Sequence, residues 1–383
     1  MTTYIITLIS AITIMMIAEF LKNRTLQNLI RFASILPMAV IAGLRNNTIG
    51  TDISNYGLIN FESATHFNNF FEYLKYIKSI NGVEIGYSLL NFVVSRFTNS
   101  VNWFFFVLNL LTILFVFLAL SGNQERKYFT IGMILYYLIF WDISLNVMRQ
   151  SLAVTMVFYG TVLFINSGKI KTFVVIVLAA SLIHQTAIIA LLIPVIYWIS
   201  IRNNKNMNYV IFITISVLVY YVMAPNSNLI TKMMESIPLF GKYYSIFLNS
   251  GISYVTTGSG MSIKTIIIRT FPMLISLIWL IRSKNSNKYI DKNKSFFTFI
   301  LMISVAFEFV NINSGVFARL GMYFSIIQIL IYLKLSSTVK LTSMRLFLVG
   351  FLILYLMVVA YVRVTSGYGQ IYPYTSDLLA QLV

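Results

Sequence analysis

The sequence predicts an all-α polytopic membrane protein with about 12 transmembrane or re-entrant helices and an external loop of short interfacial helices. Three observations carry this. Of 383 residues, 58% are hydrophobic and only 10% are charged, against about 45–50% and about 25% in soluble proteins. Apolar runs recur along the whole chain. The basic residues fall mostly between alternate runs, as in membrane proteins whose Lys and Arg mark the cytoplasmic side.

A helix needs about 20 apolar residues to cross about 30 Å of hydrocarbon. Such runs fall near residues 3–21, 27–44, 101–120, 128–142, 147–166, 172–184, 186–200, 208–224, 263–281, 296–310, 316–334 and 345–363. The first lacks a basic leader and a small-residue cleavage site, so it reads as a retained helix. The pieces at 128–142 and within 172–200 are short, about 20 Å at about 1.5 Å per residue. They read as half-helices or re-entrant segments, with His184-Gln185 near a turn.

Loops after alternate spans hold Lys22, Arg24, Arg31, Arg126, Lys127, Lys169, Lys171, Arg202, Lys205, Arg282, Lys284, Lys288, Lys292, Lys294, Lys334, Lys340 and Arg345, which is 17 of the 28 basic residues. Taken as cytoplasmic, they leave both termini outside. The net charge of +17 is then mainly an orientation signal, and no basic face for nucleic acid results. Two outside loops are long, about 45–100 and 225–262. The first mixes Asp52, Glu62, Glu72 and Glu84 with aromatic clusters, which suits short helices at the membrane surface. Residues 1–383 read as one integral membrane domain.

The chain has no cysteine, which removes thiol chemistry and Cys-based metal sites. Only two histidines are present. There is neither a Gly-rich phosphate loop ending in Lys-Ser/Thr nor an Asp-x-Asp pair, so ATP-driven work and a metal-bound nucleotide sugar are not expected. No metal or other cofactor is expected.

Ionisable residues at membrane depth are functional candidates by default. Five places stand out: Arg45 with Gly50-Thr51-Asp52 and Tyr56; Glu84-Ile85-Gly86-Tyr87; Asp142 with Arg149-Gln150; His184-Gln185; and Arg319 with Tyr323, one helical turn apart. Each has a plainer reading. Arg45 could snorkel to the interface, Asp52 could serve a turn, Glu84 could sit at a helix start, and His184 could be a bonded core residue. Glu308 could pair with a nearby arginine, and Arg363 could be an end-of-helix anchor. Taken together, arginines suit a diphosphate, carboxylates and histidine suit proton removal from a hydroxyl, and tyrosines suit sugars. Sugar transfer from a lipid diphosphate needs that combination.

The same motifs, with Met148-Arg149-Gln150-Ser151, Arg319-Leu320-Gly321-Met322-Tyr323 and Tyr372-Pro373-Tyr374, resemble the EpsG family of Wzy-like polysaccharide polymerases over most of the chain. The resemblance implies a bacterial enzyme at the outer face of the cytoplasmic membrane. It would join undecaprenyl-diphosphate-linked oligosaccharide repeat units into capsule, exopolysaccharide or O-antigen, with chain-length regulator and flippase proteins as candidate partners. On that reading Arg149 and Arg319, assisted by Arg45, hold the diphosphate. One of Asp52, Glu84 and His184 takes the acceptor's proton, Asp52 ranking first. Tyr56, Tyr87, Tyr323, Gln150 and Gln185 bind substrate. The competing readings are a lipid-linked oligosaccharide flippase and a membrane sugar O-acyltransferase.

Overall fold

The computed structural model describes residues 1–122, 128–202, 210, 213–214, 262–282, 288–311, 319–338 and 341–380. The expected span at 208–224 and the long loop at 225–262 lie almost wholly outside the described residues, as do Arg126, Lys127, Lys205, Lys284 and Lys340. Among the described residues, the regular structure is entirely helical. Seven helices are long and apolar enough to cross a membrane: Thr2–Phe20, Arg24–Leu44, Val101–Ser121, Met148–Ser167, Ile263–Arg282, Asn293–Val310 and Thr342–Thr365. Shorter apolar helices occupy Ile85–Ser95, Phe129–Ser144, Ile170–Ile183 and Gln185–Ile201. The protein is an all-α polytopic membrane protein.

The chain forms two compact units, Met1–Ile188 with Val349–Val383, and Ile189–Leu348. The first opens with α1 (Thr2–Phe20), α2 (Arg24–Ala33) and α3 (Leu36–Leu44). The Asn23 side chain caps α2 by accepting the Thr25 and Leu26 N–H groups at 2.9 and 3.2 Å. The run expected as one helix over 27–44 breaks at Ser34-Ile35, because Pro37 in the first turn of α3 has no N–H to continue the ladder. Arg31, expected in a loop, lies inside α2. It is buried, grips Glu19 at 2.6 Å and lies over the Phe129 ring.

The stretch at 45–100, expected outside, is helical, as expected. It holds a π-helical turn at Ile53–Gly57, then α4 (Leu58–Thr65), α5 (Phe70–Ile80) and α6 (Ile85–Ser95). These short helices share a core. Phe61, Tyr73 and Tyr87 are fully buried, Phe61 stacks on Phe104 at 5.3 Å, and Tyr87 meets Phe104 edge-on at 5.7 Å. Phe104 belongs to α7 (Val101–Ser121), the helix against which α3, α4 and α6 pack.

The short run near 128–142 is α8 (Phe129–Tyr136), which widens into a π-helical turn at Tyr137–Trp141 and closes in α9 (Asp142–Ser144). Next come α10 (Met148–Ser167) and α11 (Ile170–Ile183), separated by Gly168 in the left-handed conformation at φ 69°. The helix ends at His184, whose backbone is extended, and a 3₁₀ turn follows over Gln185–Leu191.

In the second unit, α14 (Lys288–Val310) packs against α12 (Leu192–Arg202) and α13 (Ile263–Arg282). The run expected at 316–334 is a 3₁₀ turn at Arg319–Gly321, α15 (Met322–Ser325) and α16 (Gln328–Thr338). Lys334, expected in a cytoplasmic loop, is buried within α16 at 1% exposure, because the helix runs past the end of the apolar stretch. The last long helix, α17 (Thr342–Thr365), enters the first unit from Val349 onward, and α18 (Asp377–Ala380) closes the described chain.

Candidate functional site

Arg149, the second residue of α10, is the centre of a cluster in the first unit. Its guanidinium carbon lies 4.0 Å from the Tyr56 ring centre and 5.5 Å from that of Tyr87. The two tyrosines meet edge-to-face at 5.7 Å. Both aromatic faces attract the cation. At its edge, Arg149 Nη1 donates to Glu84 Oε2 at 2.6 Å, and Glu84 Oε1 accepts the Gln185 N–H at 3.2 Å. Five residues expected to serve the site therefore meet: Tyr56, Glu84, Tyr87, Arg149 and Gln185.

The glycine of Glu84-Ile85-Gly86-Tyr87 makes this meeting possible. A Cβ on Gly86 would lie 2.7 Å from the Leu182 carbonyl oxygen, so only glycine lets the start of α6 come this close to the end of α11. Glu84 precedes α6 as its N-terminal cap, with an extended backbone. The plain reading of a helix-start charge thus holds locally, and the ion pair to Arg149 is added to it.

Asp52 joins the cluster through Tyr56, whose hydroxyl donates to Asp52 Oδ2 at 2.6 Å. Burial first and the Asp52 charge second push the Tyr56 hydroxyl well above its ordinary range, so it remains a proton donor. Gly50, at φ 99°, turns the chain into this position, and a Cβ there would strike the Leu145 carbonyl oxygen at 2.6 Å. Asp52 does sit beside a tight turn, as the plainer reading held.

Sequence reasoning missed what fixes the turn. The buried Asn146 side chain accepts the Thr51 hydroxyl at 2.8 Å and the Asp52 N–H at 3.2 Å through one oxygen. From the other end of the chain, the Gln370 carbonyl accepts the Gly50 N–H at 3.1 Å and the Thr375 carbonyl accepts the Asn46 N–H at 3.0 Å. Asn46 and Asp377 exchange two hydrogen bonds of 2.9 and 2.7 Å. Tyr374, in the late Tyr-Pro-Tyr motif, donates to the Ile41 carbonyl at 2.9 Å. The only sequence signal for Asn146 was an uncharged amide between Asp142 and Arg149. Asn146→Ala should leave the Asp52 N–H without this acceptor and destabilise the fold by about 1–3 kcal/mol. Thermal unfolding in detergent checks this, and an unshifted midpoint counts against it.

Arg45 does not snorkel. It is 2% exposed, donates to the Leu145 carbonyl and to Met148 Sδ, and lies 5.0 Å from the Phe105 ring centre. Burial pushes its guanidinium down to about 10, which leaves it protonated at neutral pH. His184 stands at the end of α11, where Nδ1 accepts the Thr186 N–H at 3.4 Å and faces the Thr186 hydroxyl at 2.8 Å. That arrangement favours the tautomer with the proton on Nε2. Gln150 is buried beside Arg149 at 2% exposure.

Asp142 is held apart from this cluster's hydrogen bonds. Arg363 closes on it with Nε and Nη2, both at 2.6 Å, and also donates to the Leu138 carbonyl at 2.9 Å. Arg363 is therefore a buried ion-pair partner and not a plain end-of-helix anchor. Arg319 and Tyr323 belong to the second unit, in the 3₁₀ turn and α15, with Tyr323 fully buried. In that unit Glu308 pairs with Arg269 at 3.2 Å, as its plainer reading held.

No curated protein and no solved structure matches the chain. A family model, that of the EpsG family, matches residues 28–376. That span takes in every residue of the cluster, and the chain belongs to the EpsG family.

Proposed function

We propose that the protein is a Wzy-like polysaccharide polymerase that transfers a growing glycan from a polyprenyl diphosphate to a lipid-linked oligosaccharide repeat unit. The observation that carries this is the Arg149 cluster in a member of the EpsG family: a guanidinium held against two aromatic rings, paired with Glu84, with Asp52 bonded to one of those rings' hydroxyls. The proposal places the reaction at the outer face of the bacterial cytoplasmic membrane, with undecaprenyl diphosphate as the carrier.

In the proposed reaction, the acceptor's hydroxyl oxygen attacks the anomeric carbon of the donor. The bond from that carbon to the diphosphate breaks, and its electron pair stays on the diphosphate oxygen. Arg149 stabilises the charge that develops there. Both terminal nitrogens of Arg45 are already engaged, so Arg45 adds positive potential and braces the turn before α10. The hydroxyl's proton passes to Asp52. Glu84 is the weaker candidate for that task, because it is the direct ion-pair partner of Arg149. His184 is weaker again, with Nδ1 occupied. Tyr56 keeps Asp52 oriented, while the faces of Tyr56 and the fully buried Tyr87 hold the guanidinium and are not open to a sugar.

Incubating the purified full chain with lipid-linked repeat unit should give a ladder of lengthened products on a gel. A reaction that returns only the single unit counts against the proposal.

A further inference from the structure

We infer that Glu84 is a resting counter-ion for Arg149, which an incoming diphosphate displaces from the guanidinium. The inference rests on the reading of Arg149 as the ligand of the donor's diphosphate.

The hydrogen-bond donors of the Arg149 guanidinium lie in its plane and point outward from its edge. One of them, Nη1, holds Glu84 Oε2. Another, Nε, is buried without a hydrogen-bond partner. Guanidinium groups bind planar anions best with two parallel donors, and two other arginines of this unit do so. Arg363 closes Nε and Nη2 on the two oxygens of Asp142, and Arg31 closes Nε and Nη2 on those of Glu19. Glu84 takes only one donor.

The pair is also more accessible than the structural one. The Arg149 and Glu84 side chains are 19% and 14% exposed, against 8% and 7% for Arg363 and Asp142. Release of Glu84 does not strand a bare carboxylate, because Oε1 keeps the Gln185 N–H. A buried guanidinium with no anion is costly, so Glu84 neutralises it while the site is empty. A diphosphate carries more charge and more oxygens than a carboxylate, and it can close on Nη1 and Nη2, the paired donors at the end of the guanidinium, together. Glu84 then acts as a filter, admitting diphosphate and turning away weaker anions such as orthophosphate.

The test is calorimetric binding to the full chain in detergent, with inorganic diphosphate, orthophosphate and undecaprenyl diphosphate as separate probes. Glu84→Gln should bind diphosphate about tenfold more tightly than wild type and should narrow the preference over orthophosphate. Tightening with inorganic diphosphate assigns recognition to the diphosphate group alone; tightening only with undecaprenyl diphosphate assigns it to the group within its lipid. Glu84→Gln binding no tighter than wild type with either diphosphate probe overturns the inference and leaves the polymerase reading standing. Wild type that binds neither diphosphate probe removes the diphosphate reading itself. If Glu84→Gln does not fold, carbodiimide labelling of wild type replaces it. Diphosphate should raise labelling of Glu84, and bound diphosphate with no rise overturns the exchange.

Discussion

Arg149→Ala is expected to abolish polymer formation while the protein remains in the membrane at wild-type levels. Removing one preorganised donor to a developing oxyanion slows reactions by about 10²–10³-fold, and in the proposed reaction Arg149 also supplies the charge that faces the leaving group. The loss should exceed that figure, because the substitution removes a full positive charge as well as a donor. Arg149→Lys should recover little. A lysine ammonium is a point charge without a planar fork, and it cannot both lie against Tyr56 and reach sideways to an anion. Product ladders from membranes matched for protein level decide the matter. Polymer of normal length from Arg149→Ala would refute the role given to this residue.

Arg363→Met is expected to destabilise the first unit by about 3–5 kcal/mol, the range for breaking a buried ion pair from one side. The Asp142 carboxylate, 7% exposed, would be left in an apolar interior with its charge uncompensated. Asp142→Leu in the same chain should restore most of that loss, because replacing both partners by apolar groups removes the uncompensated charge. Thermal unfolding of the two single variants and the double variant measures this cycle. Additive losses in the double variant would show that the two residues do not act as a pair. This prediction is independent of what the protein does.

The spans were legible because crossing a bilayer imposes length and composition on each helix separately. Breaks in the helices were harder to see. Ser34-Ile35 interrupts a stretch that reads as one span, and α16 continues beyond Lys334 at the end of another. Hydropathy records how apolar a stretch is, and not where its backbone turns. The cluster was legible in pieces, since Arg149, Glu84 and Tyr56 each break an apolar or loop pattern in a way that needs a reason. Their pairing was not, because Glu84 and Arg149 are 65 residues apart and nothing local links them. Arg363 was misread for the same reason, its partner lying 221 residues away. Asn146 escaped notice because an amide carries no charge and its acceptor oxygen acts only through geometry.

The clasp around the Gly-Thr-Asp turn bears on the order in which the molecule is completed. Asn46 and Asp377 lie 331 residues apart, and Gly50 waits on the carbonyl of Gln370. In a chain inserted into the membrane from its N-terminus, Arg149 can meet Glu84 once α10 and α6 are in place. The turn carrying Asp52 gains its last partners only after residues 370–377 have been added. The Arg149–Glu84 pairing is therefore set early and the turn carrying Asp52 late, so the two halves of the cluster are completed at separate stages of chain insertion.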